Sequence, residues 1–309
     1  MILSVSRRTD IPAFYSEWFF NRIKAGFVDV RNPMNIHQVS RVDIKPEVVD
    51  CIVFWTKNAG NMLARLDELR DYKFYFQYTI NPYNKFIEEN VPIKKGIIEN
   101  FRALSDLIGS DKVIWRYDPI LITNEIDIEY HFKYFEELAK RLEGYTKRCV
   151  ISFVDLYKKT ITNTQGLAMR EPTEKEMHIL ADCLSGIAKH YGIEVQSCSE
   201  NVDLDSNGVT HGCCIDKNII EQIIGYEISI KKDQNQRKEC GCVQSIDIGA
   251  YNTCRHACKY CYANFNNTKV QTQSKMHNPL SSMLVGELKE DDVVKERSVS
   301  LLKVNNLFV

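Results

Sequence analysis

Residues 245–261, Ser245-Ile-Asp-Ile-Gly-Ala-Tyr-Asn-Thr-Cys254-Arg-His-Ala-Cys258-Lys-Tyr-Cys261, read as a short strand, a loop and three thiols. The cysteines are spaced C-x3-C-x2-C, with the aromatic Tyr260 just before the third. Thiolates are the standard holders of iron–sulfur clusters, and a four-iron cubane on three of them keeps one iron open for ligand chemistry. The rival is tetrahedral zinc, which usually shows paired C-x2-C knuckles and four ligands. His256 is the nitrogen at hand, but it lies within the x3 spacer, cramped between the flanking thiols. Disulfides need an oxidising compartment, and plain reduced thiols are the remaining alternative. The spacing favours the cluster.

The strand before the tripod belongs to a longer series. Short runs rich in Val, Ile, Phe and Tyr occur at Ile2–Ser6, Cys51–Trp55, Phe74–Ile80, Val113–Tyr117, Val150–Val154 and Ile193–Gln196, then at Ser245–Gly249. They are apolar on both faces, as buried parallel strands are. Helical periodicity lies between them at Pro12–Ala25, Asn61–Asp71, Lys94–Ile108, Ile128–Leu142 and Thr173–His190, the last with a capping-box start. The alternation predicts an α/β fold, a parallel βα barrel that is complete or partial. Residues 1–200 would supply barrel units, 201–264 the cysteine-rich segment that completes the barrel, and 265–309 a cap or tail. An extra strand or hairpin is expected within Phe27–Val42, a loop over Asn264–Lys275, and capping segments at His277–Leu288 and Asp291–Leu302.

The tripod and its aromatic resemble the cluster motif of the radical S-adenosylmethionine (SAM) enzymes. That resemblance implies a [4Fe-4S] cluster whose fourth iron is chelated by SAM, and reductive cleavage of SAM to a 5′-deoxyadenosyl radical. It also implies an electron donor such as flavodoxin or ferredoxin. In that family the cluster loop follows the first strand, whereas here it follows the last. The order implies a circularly permuted barrel with Ser245–Gly249 beside Ile2–Ser6. With Arg8-Thr-Asp-Ile-Pro12 near the start, the chain resembles the branch designated domain of unknown function 1848. That branch implies no particular substrate.

Polar residues gather at the carboxyl ends of the expected strands, the face where a barrel binds its ligand. A SAM molecule needs partners for its amino, carboxylate, ribose and adenine groups. Arg7, Asp10, Thr56, Gln77, Arg116 and Asp118 are the candidate cofactor-binding residues. The fork of Arg116 suits a carboxylate, while Asp118 or Gln77 suits hydroxyls or an ammonium. The alternatives are an Arg116–Asp118 pair that holds a loop, and a capping role for Asp10. Tyr78, Tyr157 and Tyr262 are candidates for hydrogen-atom relay, though tyrosine is common in barrel cores. Eight of the eleven cysteines lie between Cys198 and Cys261. Cys198, Cys214, Cys240 and Cys242 are the expected set for a second iron–sulfur cluster or a zinc. Cys51, Cys149 and Cys183 fall in apolar runs and read as core residues, and His211 as a surface histidine.

Lys and Arg total 40 against 41 Asp and Glu, so no global field recruits nucleic acid. Lys57, Lys158, Lys159 and Arg170 are the basic residues that would line one rim if a nucleic-acid lesion were the substrate. The opening Met1-Ile-Leu-Ser-Val is too short for a signal peptide, and no stretch reaches membrane-spanning length. A cytoplasmic protein with no membrane partner is expected. Two other classes fit the cysteines: an iron–sulfur electron carrier that never binds SAM, and a zinc-stabilised nucleic-acid-binding or repair protein.

Overall fold

The computed structural model describes residues 1–156 and 158–304. From the N-terminus run β1 (Ile2–Val5), α1 (Ile11–Phe14), α2 (Ser16–Ala25), β2 (Phe27–Asn32), β3 (Asn35–Asp43), β4 (Cys51–Thr56) and α3 (Gly60–Leu63). Then follow β5 (Phe74–Thr79), α4 (Lys94–Ile108), β6 (Val113–Ile120), α5 (Ile128–Leu142), β7 (Arg148–Phe153), α6 (Lys158–Asn163), α7 (Glu174–His190) and β8 (Glu194–Cys198). The rest comprises β9 (Thr210–Gly212), α8 (Lys217–Ile224), β10 (Ile246–Asp247), α9 (Asn267–Lys275) and β11 (Val293–Arg297).

Eight strands form one parallel sheet in the order β10-β1-β4-β5-β6-β7-β8-β9. The strand feeding the tripod therefore lies beside the first strand, with Leu3 opposite Ile246 and Ser4 opposite Asp247. Alternation along each strand divides the side chains between two cores. Leu3, Phe54, Phe76, Trp115, Tyr117 and Ile151 pack with helix residues such as Phe19, Phe101, Phe135 and Leu184. Ile2, Val53, Tyr75, Ile114, Val150 and Cys198 form the second core, on the opposite face.

That second face is concave. Flat, β5 and β9 would stand roughly 19 Å apart, four strand spacings. Yet the Tyr75 hydroxyl donates to the Cys214 carbonyl, just past β9, at 2.8 Å. The sheet curls but does not close, so of the two forms expected, complete or partial, it is not a complete barrel. β9 and β10, of three and two residues, form the two edges, and residues 213–245 connect them.

A second sheet, β11-β3-β2, packs outside the first. The hairpin expected within Phe27–Val42 is present, and residues expected to cap the barrel at Asp291–Leu302 instead supply β11 beside β3. His277–Leu288 holds no helix or strand. The helix expected at Pro12–Ala25 breaks at Tyr15 into α1 and α2, and Asn61–Asp71 divides into α3 and a 3₁₀ turn at Leu66–Leu69. The expected loop at Asn264–Lys275 contains α9, a polar helix whose single buried residue is Val270. Without an apolar stripe it left no periodic signal. Helix α8, also unforeseen, starts at an Asp216 cap and ends at Gly225, whose φ of 81° needs glycine.

Candidate metal centre

The tripod loop is fastened from three sides onto the rim formed by β1, β4 and β5. Asp10, which caps α1, accepts from the Ala13 amide at 2.9 Å, the Thr56 hydroxyl at 2.8 Å and the Lys57 amide at 2.7 Å. Its other donor is the Nε2–H of His256, at 2.8 Å. Tyr15 donates to the Thr253 carbonyl at 2.6 Å, and Tyr262 to the Arg7 carbonyl at 2.9 Å. At the strand exit, a Cβ on Gly249 would fall 2.0 Å from Ser6 Oγ, so only glycine lets the two backbones meet.

The third fastening is the turn after β5. Residues Glu88 and Cys258 form an antiparallel bridge, and the Asn90 amide donates to the His256 carbonyl at 3.0 Å. The fully buried Glu88 carboxylate accepts from Lys57, Lys94 and the hydroxyl of Tyr260, the motif's aromatic. Burial alone would raise its pKa, but the two ammonium groups outweigh that and hold it at about 2. Burial works against the Lys57 ammonium too, yet Glu88 and Cys258 raise its pKa on balance. Lys57 is thus a fixed positive charge beside the Cys258 thiol. Sequence reasoning missed Glu88: no spacing marks it among 41 acidic residues.

Cys258 is buried, and Cys254 and Cys261 are half-buried. Burial pushes all three thiols up, Cys258 to about 12 against the opposing pull of Lys57. Metal binding there must displace protons. Zinc would bring its thiolates about 3.8 Å apart, given its bond length. Among the described residues, ligand atoms of three His, Cys or acidic groups lie mutually within 4.8 Å at His37, Asp291 and Asp292, not at the tripod. Three sulfur donors on one loop suit a cluster, or a zinc that takes a fourth ligand.

The six expected cofactor residues separate into two groups. Asp10 and Thr56 are bound to each other and lock the loop. Arg116 is buried on the concave face; its guanidinium pairs with Asp118, meets Cys214 Sγ at 2.6 Å and Gln77 Oε1 at 3.4 Å, and lies over Trp55. Gln77 also donates to the Cys214 carbonyl at 2.8 Å. Arg7 faces Ser245 at 3.1 Å and stacks on the same Trp55. The sets therefore serve the tripod loop and the neighbourhood of Cys214 respectively.

The remaining residues singled out in the sequence are placed as follows. Tyr78 lies in the outer core against Phe101, away from the concave face. Lys57 is held by Glu88 and Arg170 by Glu176, so neither offers a free charge to a polyanion. Tyr157 and the side chains of Lys158 and Lys159 lie outside the described residues. Cys51 and Cys149 are buried as expected, while Cys183 is half-buried on α7. His211 is exposed and donates to the Glu239 carbonyl at 3.0 Å. No helix among the described residues is long and apolar enough to cross a membrane.

Beside the tripod a cavity of about 540 Å³ opens between β10 and the hairpin, with Arg7, Arg8, Arg297, Asp247, Tyr251 and Tyr262 in its wall. A curled parallel sheet with a thiol tripod clamped on its carboxyl rim defines an α/β protein with a candidate metal centre. The chain belongs to the family described as Domain of unknown function (DUF1848), whose pattern matches residues 2–263 and so spans the whole sheet and the tripod. No curated protein matches it.

Proposed function

We propose that the chain is a radical SAM enzyme in which Cys254, Cys258 and Cys261 hold a [4Fe-4S] cluster and SAM completes its coordination. When bound, the cluster supplies the electron that cleaves SAM to a 5′-deoxyadenosyl radical. One observation carries the reading: the three thiols sit on a single loop that is clamped to the carboxyl rim of the sheet. Lys57 balances thiolate charge beside Cys258, and Glu88 keeps that lysine in place. Asp10, through His256, sets the loop against the rim. The adjoining cavity is lined by Arg7, Arg8 and Arg297 together with Asp233, 3.9 Å from Arg7, and Asp247, 3.9 Å from Arg8. Its wall thus offers both signs of charge to a zwitterionic ligand such as SAM. The parallel pairing of β10 with β1 supports reading the sheet as a permuted form of the radical SAM fold, with β10 in place of its first strand. The half-buried Cys254 and Cys261 leave the cluster reachable for an electron donor such as flavodoxin or ferredoxin, in a cytoplasm that keeps thiols reduced.

One feature favours a second reading. His256 donates from Nε2 to a carboxylate while its Nδ1 is buried without a partner, as in metal-ligating histidines. A histidine on the fourth iron would make the centre an electron carrier. The deciding experiment is anaerobic reconstitution with iron and sulfide, then incubation with SAM and dithionite. Production of 5′-deoxyadenosine, lost on replacing any one tripod cysteine by alanine, supports the enzyme. A fully loaded protein that makes none supports the carrier.

A further inference from the structure

The concave face holds a second set of thiols that the tripod does not use. Cys198 ends β8, Cys214 follows β9, and Cys240 and Cys242 lie in the crossing that leads to β10. All four are buried. They form a continuous chain of neighbours: Cys198 Sγ is 2.9 Å from Cys214 Sγ, Cys214 adjoins Cys242, and Cys242 adjoins Cys240. Cys213, next in sequence to Cys214, takes no place in that chain and faces Asp216 instead. Around the sulfurs stand donors and positive charge. The Arg116 guanidinium meets Cys214, the Ile215 amide points at Cys242 Sγ at 3.4 Å, and the charge of Arg7 acts on Cys242 and Cys214. The crossing itself, residues 225–245, contains no helix or strand, which is unusually long for a loop inside a packed fold.

We propose that Cys198, Cys214, Cys240 and Cys242 bind a second iron–sulfur cluster, ligated by cysteine throughout and charge-balanced by Arg116 and Arg7. Amide and guanidinium hydrogen bonds to sulfur are how proteins hold and tune such clusters. The donor set is all sulfur, and the guanidinium and amide donors gathered around it favour a cluster over zinc. This site is independent of the tripod and of SAM.

The test uses the full chain with Cys254, Cys258 and Cys261 all changed to alanine, reconstituted anaerobically and checked for folding by circular dichroism. Iron, acid-labile sulfide and zinc are counted, and the dithionite-reduced protein is examined by electron paramagnetic resonance. The expected result is roughly a third to a half of the wild-type iron, according to whether the cluster holds two or four irons, with matching sulfide and a cluster signal. Adding Cys240→Ser and Cys242→Ser should remove that iron, whereas Cys213→Ala should leave it. A folded tripod variant with no iron, or with zinc in its place, overturns the proposal. So does iron that survives the two serine changes. Should the serine variant fail to fold, the iron count and resonance signal of the tripod variant decide alone. Failure of wild type to cleave SAM would count against the proposed enzyme and leave this result standing.

Discussion

Asp10 Oδ2 accepts the Nε2–H of His256 at 2.8 Å across 246 residues of sequence. One residue belongs to the Arg-Thr-Asp-Ile-Pro run near the start and the other to the spacer of the cysteine motif. The two segments that looked separately informative are halves of one joint. A carboxylate that also caps α1 and receives Thr56 and Lys57 transmits the position of β1 and β4 to the tripod.

Replacing Asp10 by alanine leaves four donors without their acceptor. Hydrogen bonds to a charged group contribute about 1.5–3 kcal/mol each, and one of that size is the minimum loss expected here. The urea-unfolding midpoint should fall accordingly, and iron retained after anaerobic desalting should drop more than in Asp10→Asn.

Glu88→Gln removes the negative partner of Lys57 and Lys94 while preserving shape. Breaking a buried pair from one side costs about 3–5 kcal/mol. Thermal unfolding should reveal it, and Glu88→Gln/Lys57→Met should recover part of the loss. Equal stability of wild type and the single variant would show that the carboxylate is not needed.

His256→Ala separates the two readings of the tripod. With three thiols sufficient, the variant is expected to load iron, more weakly because the joint to Asp10 is gone, and still to form 5′-deoxyadenosine. Complete loss of iron in a folded variant would make His256 a ligand.

His131 offers a pH prediction away from any thiol ligand. Its Nε2–H donates to the Leu121 carbonyl at 2.9 Å, and its Nδ1 accepts from the Tyr117 hydroxyl at 2.8 Å. Burial lowers its pKa from 6.5 to about 4. The unfolded chain therefore binds the proton more readily than the fold. Stability from this group is intact above pH 6.5 and fades as pH falls toward about 4, by about 3 kcal/mol in all. His131→Gln should flatten the dependence of unfolding free energy on pH in that window, and an unchanged slope would exclude His131 as its source.

The sheet was legible because its strands are short apolar runs between amphipathic helices, a pattern set by burial on two faces. The tripod was legible because three thiols in eight residues form a local motif. What escaped was non-local. Glu88 acquires its role through Lys57, Lys94 and Tyr260, from other segments of the chain, and nothing in residues 84–91 announces them. The Arg116–Asp118 pair was foreseen as an alternative, but the contact of Arg116 with Cys214 depends on sheet curl, which no window of sequence encodes.

The neighbour that β10 gives to β1 carries a consequence for biosynthesis. The hydroxyl of Ser4 waits for Asp247, 243 residues later. Until then the first strand presents a bare edge with unsatisfied amides and carbonyls, open to pairing with another nascent chain. The rim that seats the cysteine loop is likewise built long before the loop emerges. Maturation is thus ordered by the ribosome: the scaffold comes first and the cysteine loop last, so the loop docks on a chain already almost folded. A ribosome stalled before residue 246 should release an aggregation-prone product.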